Sequence, residues 1–239
     1  MKRAIIIGAS SGMGRELAKI FSADGYEVGI SARRLELLEE LRRELPGRSC
    51  VKRMDISDAE ASVAALDEMI AELGGMDVIV ISSALDYFNP DLKWGEVKES
   101  ILVNVMGFAA LANAAYNYFD KQGSGHIVGM SSIAALRGSG SHPAYSASKA
   151  FVSNYLEGLR VKAAKSRREI YVTDIRPGFV DTPMSEGQPG MFWVATAEKA
   201  ARQIYGAVKR KKRIAYITKR WDIIARFLRV APGRLYARL

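Results

Sequence analysis

The chain has 239 residues, 49% hydrophobic and 26% charged, the proportions of one large globular domain. Those figures exclude a disordered chain, a collagen-like fibre and a small disulfide scaffold. The formal charge is +9, yet residues 206–239 hold eleven of the 35 basic side chains against the single acid Asp222, so the body of the chain is near neutral. A neutral body without zinc spacing, a helix-turn-helix or an RNA-binding aromatic motif argues against sequence-specific nucleic-acid binding.

The one cysteine, Cys50, cannot close an internal disulfide, which fits a reducing cytoplasm. Only Ala4–Ile7 follow Met1-Lys2-Arg3 before Gly8, an apolar run far shorter than a signal peptide needs. Residues 100–119 are uncharged and of membrane-spanning length, but Asn104, Asn113 and Asn117 make them a buried helix instead.

Short apolar runs at 4–7, 28–30, 51–54, 78–81, 126–130, 170–175 and 214–217 predict seven strands. Segments with helical spacing lie between them, at 12–23, 35–45, 59–73, 97–119, 145–164 and 196–208. Continuous apolar strands alternating with helices predict one doubly wound α/β domain, a seven-stranded parallel sheet covered on both faces. Residues 185–190 read as a turn-rich loop, and the chain beyond residue 218 falls outside the alternation. The expected layout is a domain over 1–218 carrying a basic C-terminal extension, 219–239.

Ligands of such sheets bind beyond the carboxyl ends of the strands. After the first strand comes Gly8-Ala9-Ser10-Ser11-Gly12-Met13-Gly14, a tight glycine turn into a helix whose N-terminus suits a phosphate. The second strand ends in Ala32-Arg33-Arg34 with no acid before Glu36. A dinucleotide with a free 2′-hydroxyl wants an acid here and a 2′-phosphate wants arginine, so NADP is favoured, unless the arginines merely open a solvated helix. After the fifth strand stands Ser132. Tyr145 and Lys149 then share one helix face, where an ammonium can lower a phenol pKa toward proton transfer. Alone, that last pair is a common and uninformative spacing.

Together, and in this order, these motifs resemble the short-chain dehydrogenase/reductase family over about residues 1–218. Asp55 after strand three, Asn104 within Val103-Asn104-Val105, and Arg176-Pro177-Gly178-Phe179-Val180-Asp181-Thr182 complete the match. The resemblance implies a Rossmann-like fold, NADP(H), and hydride transfer between a nicotinamide and a carbonyl or alcohol. It gives Tyr145 the acid–base role, Lys149 the lowering of its pKa and the nicotinamide ribose, Ser132 the substrate oxygen, and Asn104 a relay water. It places Asp55 and Ile56 at the adenine, Val180 and Thr182 at the carboxamide with Pro177 and Gly178 beside them, and Arg33, flanked by Arg34, at the 2′-phosphate. One departure stands out: Ser82-Ser83-Ala84-Leu85 replaces the family's Asn-Asn-Ala-Gly, with Ser83 and Ala84 still expected at the cofactor.

The Met191-Phe192-Trp193-Val194 stretch reads either as cover for an apolar substrate or as ordinary loop packing. By resemblance, Leu136, His142 and Met184 are its pocket neighbours. No metal site is expected. The tail carries apolar residues at helical spacing with arginines interleaved. It reads as a cap on the substrate mouth or a subunit contact, as a peripheral membrane contact, or as a surface for an acidic partner. A homodimer or homotetramer through the helices of Asn104 and Tyr145 is implied, using the alanine-rich face around 109–115. A non-catalytic cofactor-binding sensor is the rival reading, supported by the altered turn.

Overall fold

Ile5, Ile6 and Ile7 are all fully buried, which a strand achieves only where both of its faces are covered. In the computed structural model, which describes residues 2–186 and 190–236, the first half of the chain alternates strand and helix. Its elements are β1 (Arg3–Ile7), α1 (Gly12–Ala23), β2 (Glu27–Ala32), α2 (Leu35–Glu44), β3 (Ser49–Arg53), α3 (Ala59–Leu73), β4 (Val78–Ile81), α4 (Trp94–Ile101) and α5 (Phe108–Gln122). The second half runs β5 (Ser124–Met130), α6 (Pro143–Lys165), β6 (Glu169–Pro177), β7 (Val180–Asp181), β8 (Ala195–Thr196), α7 (Ala197–Lys209), β9 (Ile214–Ile217) and α8 (Trp221–Val230).

Seven strands form one parallel sheet in the order β3-β2-β1-β4-β5-β6-β9. Successive side chains of a strand point to opposite faces, so β1 feeds two cores. Ala4 and Ile6 pack with α1, α2 and α7, and Ile5 and Ile7 pack with α3, α5 and α6. The chain runs outward from β1 to β3 and then returns to β4, so the strand order reverses at the carboxyl ends of β1 and β4. Such a reversal is where open sheets bind ligands.

The expected single helix over 97–119 is interrupted. Between α4 and α5, Leu102–Gly107 winds as a π-helix, with Asn104 buried at its centre. A Cβ on Gly107 would overlap the carbonyl of Ile56, so this stretch lies directly on the turn that follows β3. The tail helix forms as expected, at 221–230. The loop residues 187–189 and the terminal Leu239 lie outside the described residues, and no described helix is long and apolar enough to cross a membrane.

Candidate active site

The glycine turn after β1 is shaped by close approach. Gly8 and Gly12 have φ of +90° and +56°, the left-handed region that favours glycine. A Cβ on Gly8 would stand 2.7 Å from the Ser83 nitrogen and hydroxyl, and one on Gly14 would overlap the Gly8 carbonyl. Gly14 therefore closes the turn rather than facing the cleft, while the N-cap residue Ser11 leaves the first N–H groups of α1 uncapped by its side chain. Backbone this close, opening on a helix N-terminus, suits a pyrophosphate.

A cleft of about 550 Å³ opens at the β1/β4 reversal. Its walls bring together most of the expected cofactor residues: Gly8, Ser10, Ser11, Gly12, Met13, Arg33, Arg34, Asp55, Ile56, Ser83, Ala84 and Thr182. Met184, expected near substrate, also lines it. The Arg34 guanidinium donates to the hydroxyls of both Ser10 and Ser11, at 3.0 Å each, so Arg34 is built into the glycine turn. Burial works against ionising Asp55, but hydrogen bonds from the Ser57 N–H and hydroxyl and the charges of Arg33 and Arg53 hold its carboxyl below the usual range.

Deeper in, Ser132 caps a 3-10 turn, Ile133–Leu136, by accepting from the Ala134 N–H. Its hydroxyl also stands near the Tyr145 phenol and favours that group's ionised form. Pro143 starts α6 at its first turn, which sets Tyr145 one turn above Lys149 on the same face. The Lys149 ammonium lies 5.5 Å from the centre of the Tyr145 ring and donates to the Met130 carbonyl at 2.8 Å. Burial pushes the phenol well above its ordinary pKa and the Asp86 charge pushes the same way, against the Ser132 hydroxyl. Burial pushes Lys149 down to about 8, against the charges of Asp86 and Asp174. Asp86 lines the cleft, so the pair stands beside it.

Asn104 is buried, and its side chain is held by protein groups. Its amide donates to the Leu85 carbonyl at 2.7 Å and to the Ser148 hydroxyl at 3.0 Å, and its oxygen accepts from the Leu85 N–H at 2.8 Å. The side chain clamps the altered turn, and Leu85 packs on the core beneath α5 and α6.

Besides Gly14, Asn104, Ser132, His142, Tyr145 and Lys149, four expected residues stand outside the cleft wall. Leu136 sits on the 3-10 turn and Pro177 ends β6. Val180 is buried in β7, beside β8. Gly178 is covered by Trp221 of α8, whose indole occupies the place a Cβ would take. Trp221 gathers Phe179, Phe192 and Trp193 at centroid distances of 5.0–6.0 Å, so the tail helix and the apolar loop share one aromatic cluster. Arg137 donates to the carbonyls of Leu228 and Ala231, tying the far end of α8 to the segment after Ser132.

Two features escaped the sequence reading. Asp174, fully buried, accepts from Ser131, Ser153 and Arg176, and Arg176 continues to Tyr216 of β9. The signal was the Asp-x-Arg spacing on a strand, which sets both side chains on one face. The other is Asp86, whose carboxylate meets His142 at 2.7 Å; only its place directly after the altered turn hinted at it.

The family model for short chain dehydrogenases matches residues 2–190. A protein of Myxococcus xanthus named an uncharacterized oxidoreductase is 32% identical over 98% of this chain and 94% of its own. Among solved structures, an alcohol dehydrogenase from Thermococcus sibiricus complexed with 5-hydroxy-NADP superposes with a TM-score of 0.79 at 25% identity, covering 90% of this chain and 94% of that one. A short-chain dehydrogenase from Sphingobium yanoikuyae in complex with NADPH superposes with the same score at 23% identity over 94% and 92%, a likeness of fold. The chain belongs to the short-chain dehydrogenase/reductase family of oxidoreductases.

Proposed function

We propose that the protein transfers hydride between NADP(H) and the carbonyl or secondary alcohol of an apolar substrate, with Tyr145 as general acid and base. The observation that carries this reading is the convergence of Ser132, Tyr145 and Lys149 beside a cleft that also holds Arg33 and Arg34. The glycine turn, which no Cβ could share, fits a dinucleotide pyrophosphate, and the arginines fit a 2′-phosphate. When bound, the dinucleotide supplies or receives the hydride.

The chain's own residues handle the proton. In reduction Ser132 holds the carbonyl oxygen and Tyr145 donates its phenolic proton to it. The phenolate left behind is stabilised by the Lys149 ammonium. Asn104 acts at one remove, by fixing the Leu85 turn. The aromatic cluster of Phe179, Phe192, Trp193 and Trp221 offers an apolar surface for the rest of the substrate.

The first test is titration of the protein with NADPH and NADH by nucleotide fluorescence. NADPH is expected to bind at least about tenfold more tightly, and Arg33→Ala to remove that preference without weakening NADH. Tyr145→Phe should bind NADPH normally and lose about a thousandfold or more in carbonyl reduction. Absence of binding to either nucleotide would favour the sensor reading.

Assembly as a homodimer or homotetramer through α5 and α6 belongs to the same proposal. Ala112 and Ala115 turn into the core, while Ala109, Ala110 and Ala114 are half-buried and Asn113 and Asn117 exposed, so the face left to a partner on α5 carries both alanines and amides. A second reading concerns α8. Ile223, Phe227 and Val230, at spacing i, i+4, i+7, are 67%, 44% and 78% exposed on one stripe, with Arg226 among them, as in a helix that lies on an anionic membrane surface.

A further inference from the structure

Hydride transfer as proposed makes no use of Asp174, the fully buried carboxylate on β6. Asp174 shares the α6 side of its strand with Ile170 and Val172, both core residues, so an apolar side chain would continue that core. A buried ion pair gains little stability over packed apolar groups, and Asp174 with Arg176 is such a pair at 2.8 Å. What distinguishes Asp174 is the set of elements it joins. One oxygen accepts from the Ser131 hydroxyl, and the other accepts from the Ser153 hydroxyl and from Arg176 Nε, at 2.8 Å each. Ser131 stands between Met130 and Ser132 at the end of β5, and Ser153 lies one turn beyond Lys149 on the same face of α6. The Lys149 ammonium itself donates to the Met130 carbonyl at 2.8 Å. Two successive rungs therefore join α6 to the end of β5: Lys149 to Met130, and Ser153 through Asp174 to Ser131.

We propose that Asp174 is a positioning residue for the hydride-transfer site, the carboxylate that sets the β5 end bearing Ser132 against the α6 face bearing Tyr145 and Lys149. The proposal deepens the hydride-transfer reading and rests on it. In that reaction Ser132 and Tyr145 reach one substrate oxygen from two separate elements, and a misplacement of about 1 Å can cost about a hundredfold in rate. A carboxylate holds both serines at once because each of its oxygens accepts; an asparagine would replace one of those acceptors with a donor. The charge of Asp174 serves the site as well. Burial works against the Lys149 ammonium, while the carboxylates of Asp174 on β6 and Asp86 on the loop after β4 favour it, and Tyr145 adjoins it on α6. Arg176 is the cation that balances Asp174. Removing the carboxylate leaves Arg176 and Lys149 as buried cations without it, and the Lys149 proton is the one that can leave, since a guanidinium keeps its own.

The test follows Lys149 directly, by NMR of protein labelled with ¹³C at the lysine ε carbons, the Lys149 signal being identified by its loss in Lys149→Met. The wild-type signal should titrate at about 8. In Asp174→Asn the midpoint should fall by about half a pH unit or more, and the pH at which carbonyl reduction declines should fall with it. A merely structural Asp174 would reduce the folded fraction and leave both where they were. Ser153→Ala removes one rung and keeps the carboxylate, a milder change than Asp174→Asn because no charge is left bare. It should bind NADPH within about twofold of wild type and lower kcat by about fivefold or more, read with benzaldehyde, acetophenone and cyclohexanone. A Lys149 midpoint unmoved by Asp174→Asn, or a kcat unmoved by Ser153→Ala, would overturn the proposal. Wild-type protein that neither binds NADPH nor reduces any of the three carbonyls would instead strike at the hydride-transfer reading, and the Lys149 midpoint alone would then judge Asp174.

Discussion

Lys149 is 3% exposed, and its ammonium is held down to about 8 by burial. Because the folded value lies below the ordinary 10.5, the unfolded chain binds the proton more readily between those two pH values. The charge therefore costs about 3 kcal/mol of stability below pH 8, and the cost is relieved as pH rises toward 10.5. In the proposed reaction the same charge stabilises the Tyr145 phenolate. Carbonyl reduction should accordingly fall as pH passes about 8, by up to about tenfold per unit, in a pH profile of kcat/KM. Lys149→Met should lose most activity yet melt at a higher temperature at pH 7, the difference closing toward pH 10.5. A flat profile would separate Lys149 from the chemistry. The grouping of Ser132, Tyr145 and Lys149 was legible because the proposed reaction dictates residue type and spacing. The bond from Arg34 to Ser10 and Ser11 was not, since it joins residues more than 20 apart in the chain.

Strand β6 shows how one element organises its neighbours. Asp174 and Arg176 project from it into a buried network that reaches Ser131 at the end of β5, Ser153 on α6, Tyr216 on β9 and, through Tyr216, Arg229 on α8. Ser131 directly precedes Ser132, so the network also braces the turn proposed to hold the substrate oxygen. Asp174→Asn removes the charge opposing the Arg176 guanidinium, itself 6% exposed, and should cost about 3–5 kcal/mol, read as a lower urea midpoint with unchanged slope. A loss below about 1 kcal/mol would show that the hydrogen bonds, not the charge, hold this strand. The helical periodicity of 97–119 was plain in the sequence, but its π-helical centre was not. That irregularity exists because Asn104 has to meet the Leu85 backbone and Gly107 has to clear the Ile56 carbonyl. Neither partner is near in sequence.

At the scale of the whole molecule, the basic charge of the C-terminus is only partly free to act outward. Lys209 pairs with Asp24, Arg220 donates to the Trp193 carbonyl and stacks on its ring, and Arg229 donates to Tyr216. The stripe of Ile223, Phe227 and Val230 remains exposed. If that stripe meets a membrane, the protein should sediment with phosphatidylglycerol vesicles at low salt and not with phosphatidylcholine vesicles. High salt should weaken the binding, and so should Phe227→Ser with Val230→Ser. Indifference to the anionic vesicles would leave the helix as a cap alone.

The seven strands, their burial on both faces and the order of the motifs follow from the sequence, because strand and helix periodicities are local and a glycine turn or a Tyr-x-x-x-Lys pair is written in consecutive residues. The tertiary structure alone decides which distant groups meet. It sets Trp221 on Gly178, so that the tail packs against the segment that follows β6, gives Asn104 to the altered turn, and brings Asp86 to His142 beside Tyr145. Those contacts depend on how helices from separate parts of the chain settle on the sheet, and no local pattern encodes the angstroms between them.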